Sequence, residues 1–293
     1  MKQYAVVVNL MSRRSRNRYK KLQESLTEAK LSVCFESYLD DPSQLEKTLL
    51  SALDAKPDVL IVGGGDGTVA AAAGLLANQH DIALAIIPLG TANYFARNIK
   101  IPLSVDGAIK AVIADRTRGV PLGRINNTYF TFMANIGVSV NVAGSVSDTT
   151  KRYLGPMAYL GNVGRQVIGH KHFKSDVEFD GEQHSFKTHE LIIMNADLNQ
   201  HLKIVPKTSL YDDKLLMVSY ANDDHRLRPH VQNMLWFMIT KGKNEDQMRK
   251  HVFSRALIST DPVREISIDG EVIGHTPATC VIVDNALRVI TNK

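Results

Sequence analysis

Six residues, Gly63-Gly64-Gly65-Asp66-Gly67-Thr68, place four side-chain-free backbones beside one carboxylate and one hydroxyl. The apolar run Val59-Leu60-Ile61-Val62 precedes them, and an alanine- and leucine-rich segment, residues 69–76, follows. A short apolar run bounded by glycines reads as a buried parallel strand, and the segment after it reads as a helix. The glycines therefore lie where a strand hands over to a helix. The first N–H groups of a helix lack partners and its dipole favours an anion, so this junction suits phosphate. Glycines let the backbone approach phosphate oxygens closely. Asp66 would repel phosphate unless a cation joined the two, and hydrated magnesium, which takes a carboxylate or two plus substrate oxygens, resolves that conflict. The alternative reading is a tight strand-to-helix turn with Thr68 as the helix cap.

Two other phosphate loops are excluded by spacing. The P-loop needs a lysine after the glycines, and the dinucleotide fingerprint needs a third glycine where Thr68 stands. About twenty residues later a second apolar run, residues 82–87, leads into Pro88-Leu89-Gly90-Thr91-Ala92-Asn93-Tyr94-Phe95-Ala96-Arg97. In an open α/β sheet, loops at the carboxyl ends of neighbouring parallel strands converge on one crevice, so both motifs are expected to face one ligand. Asn93 offers donors and an acceptor, and Arg97, one helical turn on, is a candidate phosphate contact with a surface arginine as the plain alternative.

The two motifs in this order resemble the diacylglycerol kinase catalytic family, which includes bacterial lipid kinases and sphingosine kinases, and the resemblance spans nearly the whole chain. NAD kinases and phosphofructokinases share the first motif only. The resemblance implies ATP as phosphate donor, held by Asn9, Gly64, Gly65, Asp66, Gly67, Thr68, Gly90, Thr91, Asn93 and Arg97, with Mg2+ bridged by Asp66. It also implies a lipid acceptor and peripheral contact with a membrane surface. Tyr211-Asp212-Asp213-Lys214-Leu215 is similar to a family turn that holds a structural magnesium, which carries over to the Asp213 side chain and the carbonyls of Leu210 and Leu215. Two Asp-Gly-Glu triplets occur, at 180–182 and 269–271, and either alone is an ordinary hairpin signal. The family keeps a catalytic triplet ahead of Thr-Pro near the C-terminus, and Thr276-Pro277 follows the second. By that resemblance Glu271 accepts the proton of the attacking hydroxyl, Asp269 places the metal or the turn, and Asp180-Gly181-Glu182 is only a turn.

Departures from the family pattern keep other readings open. Leu10 and Arg13 stand where relatives carry proline and glycine after the first strand, and arginines there could replace backbone donors to phosphate. Ala70-Ala71 replaces Asn-Glu, Tyr94 replaces an aspartate, and Lys214 replaces a glycine. A catalytically weak or inactive nucleotide- or lipid-binding regulator of the same family is one alternative, and an NAD kinase-like enzyme is another.

The elements that must position these residues follow from periodicity. At 293 residues and 44% hydrophobic, the chain can build one large or two medium cores. Strands are expected over residues 4–9, 32–38, 59–62 and 82–87, with helices over 13–29 and 42–55. From about residue 126 the pattern changes to a helical segment near 151–168 and short strands at 176–179, 185–194, 214–220, 265–268, 272–273, 279–283 and 287–290, which reads as β-sandwich-like. The fold class is α/β: an N-terminal nucleotide-binding α/β domain, residues 1–125 plus about 281–293, and a C-terminal β-sandwich-like domain, residues 126–280. The family layout puts the active site in the cleft between them.

Composition narrows the partners. No stretch approaches eighteen apolar residues, and the opening residues read as a first strand, so a cytoplasmic protein is expected, peripheral on the inner face of the membrane. Cys34 and Cys280 show no pairing or metal pattern, which suits a reducing compartment. The net charge of +5 suits nucleic acid, anionic lipid or polyphosphate, but no nucleic-acid motif accompanies it, so no nucleic acid is expected. His170-Lys171-His172 lacks zinc-site spacing, residues 151–159 are basic and aromatic enough to meet lipid headgroups, and no Gly-x-Ser-x-Gly supports a hydrolase.

Overall fold

The protein is described here as a computed structural model covering residues 1–137, 172–194, 214–220 and 248–292. It divides into two compact units, residues 1–122 with 283–293, and residues 123–282.

In the first unit β1 (Gln3–Asn9), β2 (Ser32–Leu39), β3 (Val59–Gly64) and β4 (Ala83–Pro88) form a parallel sheet in the order β2-β1-β3-β4. Every residue of β3 and β4 is buried, as expected of central strands covered on both faces. The end of β16 (Ala278–Ile290) runs parallel to β4, with Val289 opposite Leu84. The connecting helices are α1 (Arg13–Ala29), α2 (Leu45–Asp54), α3 (Asp66–Leu76), α4 (Tyr94–Asn98) and α5 (Val105–Ala114). Ser12 caps α1 by accepting from the Ser15 N–H at 2.9 Å. The helix expected from Pro42 opens as a 3-10 turn, Pro42–Gln44, before α2 begins. Pairing of Asn9 with Leu39, Val8 with Gly63, and Gly64 with Pro88 places all four strand ends on one edge of the sheet.

One local expectation is corrected. Helix α3 starts at Asp66 with Gly65 as its N-cap, so Thr68 lies within the first turn and is not the cap. Its side chain is buried and its hydroxyl is taken by Asn9.

The second unit is a sandwich of antiparallel sheets. One sheet runs from the start of β16 through β13 (Arg255–Asp261) and β8 (Phe173–Phe179) to β9 (Glu182–Thr188). The other has the order β12 (Met248–Phe253), β11 (Leu215–Tyr220), β10 (Glu190–Met194), β7 (Met133–Gly137), β14 (Glu265–Ile268), β15 (Glu271–His275). Strand β5 (Thr117–Ile125) leads in from the first unit and pairs with β6 (Thr128–Phe130). Alternate residues of both sheets, among them Phe173, Val177, Ala256 and Ile258 against Ala134, Ile136, Ile193, Met217 and Ile266, share one core.

The strands differ from those expected in two places near the C-terminus. Strands β12 and β13 fill residues 248–261, where charged residues hide an alternation of Ala256 and Ile258 inward with Arg255 and Leu257 outward. The two expected strands near the C-terminus are one, β16. The helical segment near 151–168, with its lipid-facing stretch 151–159, and Leu210, Asp213 and His170 lie outside the described residues. Among the described residues no helix is long and apolar enough to cross a membrane.

Candidate functional site

Strands β1, β3 and β4 deliver the two glycine loops of the first unit to the same edge. Asn9 ends β1, its Nδ2 donating to Thr68 Oγ1 at 3.1 Å and its Oδ1 accepting from the Met11 N–H at 3.0 Å. A Cβ on Gly64 would fall 2.6 Å from Thr68 Cβ, so close helix-on-strand packing requires glycine there. The Gly64 carbonyl accepts from the N–H groups of Leu89 at 2.9 Å and Gly90 at 3.1 Å, which ties the first loop to the second. A Cβ on Gly90 would meet Gly65 Cα at 2.5 Å, so the two backbones touch. Gly67 is different: it is exposed, and a Cβ there would have no neighbour within 4 Å. The fold does not demand a glycine at Gly67, and its missing side chain leaves open space before the first turn of α3.

Asp66 and Asn93 do work that the sequence did not assign them. Asp66 is half-buried, and burial raises its pKa; the backbone N–H groups of Tyr94, Phe95 and Asn93 face its carboxylate and oppose that rise. Its carboxylate caps α4 and so joins the two motifs, a role additional to the expected one as a magnesium bridge. Asn93 was expected to present its amide to a nucleotide, yet it is 4% exposed. Its Oδ1 accepts from the Gly90 N–H at 2.9 Å and its Nδ2 donates to the Gly90 carbonyl at 2.8 Å, closing the loop from inside. Its left-handed backbone, φ 50°, suits asparagine. Thr91 is exposed, and Arg97 is fixed by its Nε donating to the Ala92 carbonyl at 2.7 Å.

In the second unit the later Asp-Gly-Glu triplet joins β14 to β15. Asp269 Oδ2 accepts from the Thr131 N–H and the Thr131 hydroxyl, each at 3.0 Å, and Oδ1 accepts from the N–H groups of Phe132 at 3.1 Å and Met133 at 3.0 Å. The Asp269 N–H donates back to the Met133 carbonyl at 2.9 Å. Burial raises the Asp269 pKa, partly offset by those donors. Of the two roles the resemblance gave Asp269, the geometry fits placing the turn. Glu271 pairs with Ile268 through the ladder, but its side chain is exposed and makes no hydrogen bond or ion pair among the described residues. Of the expected structural-magnesium ligands only Leu215 is described, buried at the start of β11. Lys214 beside it donates to Ser254 Oγ at 2.8 Å and lies 3.9 Å from Asp180 Oδ2.

These contacts decide what the chain could do with a metal. Among the described residues no three Asp, Glu, His or Cys side chains converge, and Asp66 and Asp269 are engaged by backbone donors, so these residues do not fit a protein-built metal cage. The first unit instead offers open N–H groups at the start of α3. Val69 is the first residue there to donate to a helical carbonyl, Gly65 at 3.1 Å. Thr131 as the partner of Asp269, and Gly64 as the tie between loops, had no signal in the sequence beyond the glycines and the Asp-Gly turn.

Residues 3–125 match the model of the diacylglycerol kinase catalytic domain, and residues 133–291 match that of the YegS C-terminal NAD kinase beta sandwich-like domain. An uncharacterized Synechocystis protein is 27% identical over 78% of this chain and 54% of its own length, so the chain spans about half of that relative. A Staphylococcus haemolyticus protein provisionally named a lipid kinase is 26% identical over 80% of this chain and 76% of its own. A Bacillus anthracis structure provisionally named a diacylglycerol kinase superposes with TM-score 0.80 at 22% identity, covering 99% of this chain and 97% of that one. Yeast NADH kinase, complexed with NADH, gives TM-score 0.60 at 11% identity over 100% of this chain and 84% of that one. At these identities the structural likeness is one of fold.

Proposed function

The chain belongs to the diacylglycerol kinase catalytic family, and from that premise we propose that it transfers the γ-phosphate of ATP to a hydroxyl of a diacylglycerol-like lipid. The observation that carries this reading is the pair of touching loops at the carboxyl edge of the parallel sheet, with Gly67 leaving space before a helix start whose N–H groups have no helical acceptor. Donor phosphates would lie against the N–H groups of Gly67 and Thr68, with Thr91 exposed nearby on the second loop. Asp66 and Asn93 would hold those loops in place and contact no phosphate themselves.

The acceptor hydroxyl must lose a proton as it attacks. Glu271 suits that task because it is an exposed carboxylate without a partner, while Asp269 is committed to fixing the hairpin that carries it. A divalent cation arriving with ATP would neutralise phosphate charge, which is most of what phosphoryl transfer asks of its surroundings. A lipid acceptor brings the protein to a membrane surface as a peripheral partner.

A second reading, a nucleotide- or lipid-binding regulator without turnover, is favoured by the engagement of Asp66 and Asn93 with backbone groups. Transfer of labelled phosphate from Mg-ATP to a panel of lipids in mixed micelles, and to NAD, separates these readings. Lipid phosphorylation by the wild type, lowered about 10²- to 10⁴-fold in Glu271→Gln, is the expected result. ATP binding with no product on any acceptor would establish the regulator, and product on NAD alone would establish an NAD kinase.

A further inference from the structure

Helix α1 opens on Arg13, Arg14 and Arg16 with no acidic residue in its first turn, the charge sign that the helix dipole disfavours at this end. Its other described cations on the same side have fixed partners. Lys21 pairs with Asp106 at 2.7 Å, and Arg18 Nη1 donates to the carbonyls of Pro88 and Leu103, each at 3.2 Å. Arg16 Nε donates to the Leu10 carbonyl at 2.9 Å. Arg14 lies four residues before Arg18 and seven before Lys21, on the same helical face. It has no hydrogen-bond or ion-pair partner among the described residues. Two guanidiniums thus sit one turn apart with no carboxylate between them, close enough that burial and Arg14 together lower the Arg18 pKa.

The direction of α1 gives this pair its address. The helix starts at the carboxyl edge of the sheet, after β1, and runs back along it; Arg18 touches Pro88, the last residue of β4. Four residues nearer the helix start is about 6 Å further towards the second loop. We propose that Arg14 and Arg18 form a phosphate-binding pair beside the two glycine loops, with Arg18 anchored to the β4 carbonyl and Arg14 free to close on the anion. That the phosphate belongs to a nucleotide rests on the function proposed above; a lipid headgroup offers the same chemistry.

The test uses the full chain as wild type, Arg14→Ala, Arg14→Lys and Lys20→Ala, which removes an exposed charge from the same helix. Calorimetric titration with tripolyphosphate, ATP and adenosine is set beside sedimentation with phosphatidylglycerol and phosphatidylcholine vesicles. Arg14→Ala is expected to weaken tripolyphosphate and ATP about tenfold while leaving adenosine unchanged, the size of one lost charge-assisted contact. Arg14→Lys should recover part of that loss, and Lys20→Ala should stay within about twofold of wild type. A loss seen only with phosphatidylglycerol vesicles assigns the pair to a headgroup. If the wild type binds tripolyphosphate through Arg14 but neither ATP nor adenosine, the pair stands and the kinase reading falls. The pair is overturned if Arg14→Ala matches wild type on every probe, if Lys20→Ala falls equally, or if the wild type binds no phosphate-bearing probe at all.

Discussion

The second unit contains the same hairpin tip twice. Asp180-Gly181-Glu182 and Asp269-Gly270-Glu271 each place aspartate at φ 48° and glycine at φ 99°, the left-handed pair that a two-residue hairpin requires. Each aspartate also reaches across to backbone N–H groups on another segment: Asp180 to Ser254 at 3.1 Å and Arg255 at 2.8 Å, Asp269 to Thr131, Phe132 and Met133. The tips differ in their surroundings. Asp180 faces solvent and Lys214, and Glu182 lies 3.9 Å from His184, whereas Asp269 is wrapped by four donors and Glu271 has no described partner. In both places the aspartate of this motif is a clamp. What sets the tips apart is how deeply the clamp is enclosed and whether the following glutamate is free.

The largest expected effect separates the glutamates. If Glu271 takes the acceptor proton, Glu271→Gln lowers lipid phosphorylation by the factor given above, while Glu182→Gln stays within about twofold in the same assay. Equal losses would show that both tips serve only structure, and no loss in either would place the base elsewhere.

The aspartates should separate next, in stability. Replacing Asp269 with alanine strands three backbone N–H groups and a hydroxyl, at a cost of about 3 kcal/mol, because enclosed donors without acceptors carry their full desolvation penalty. Asp180→Ala exposes its donors to water and should cost about 1 kcal/mol after solvent screening. Urea unfolding followed by circular dichroism reads both, and equal losses would erase the distinction drawn from enclosure.

The contrast between the tips also shows where sequence reasoning reached its limit. The parallel sheet was legible because β3 and β4 are uninterrupted apolar runs, and the glycine loops because no side chain can occupy Gly64 or Gly90. The sandwich was legible as short alternating strands, but β12 and β13 were hidden because their outward faces carry Arg249, Arg255 and other polar residues. Residue type suggested metal and nucleotide chemistry for Asp66 and Asn93. Their actual partners are backbone groups 27 to 29 positions away for Asp66 and three for Asn93, and backbone groups carry no sequence signature. Likewise Asp180 and Asp269 read identically as Asp-Gly-Glu, since enclosure is set by segments more than 70 residues distant.

Acid should move the two clamps in opposite directions. Burial alone would raise the Asp180 pKa, but the Arg255 and Ser254 N–H groups and the Lys214 ammonium together hold it below the ordinary value. A depressed carboxyl contributes stability above its unfolded pKa, about 3.9, that is lost as pH falls through the folded value. Asp269 is raised by burial, so its linked contribution is complete below the unfolded value and is lost as pH rises through the folded one. Between pH 7 and pH 3, the stability gap between wild type and Asp180→Ala should therefore narrow, and the gap for Asp269→Ala should widen. Parallel gaps across the titration would mean that the environments of the two carboxylates are alike.

Lys214 gives the smallest effect and the sharpest statement about why the tips diverge. Its ammonium lies 3.9 Å from Asp180 with both side chains well exposed, so the Coulomb term is weak and screened, and its bond to Ser254 Oγ competes with water. Lys214→Ala should cost at most about 0.5 kcal/mol and should fade in high salt. Because the ammonium is one of the groups lowering the Asp180 pKa, its removal should also shift the acid limb of the Asp180 contribution upward while leaving that of Asp269 in place. A stability loss well above 1 kcal/mol, or a shift in the Asp269 limb, would show that Lys214 braces the whole sandwich and does more than neutralise one hairpin.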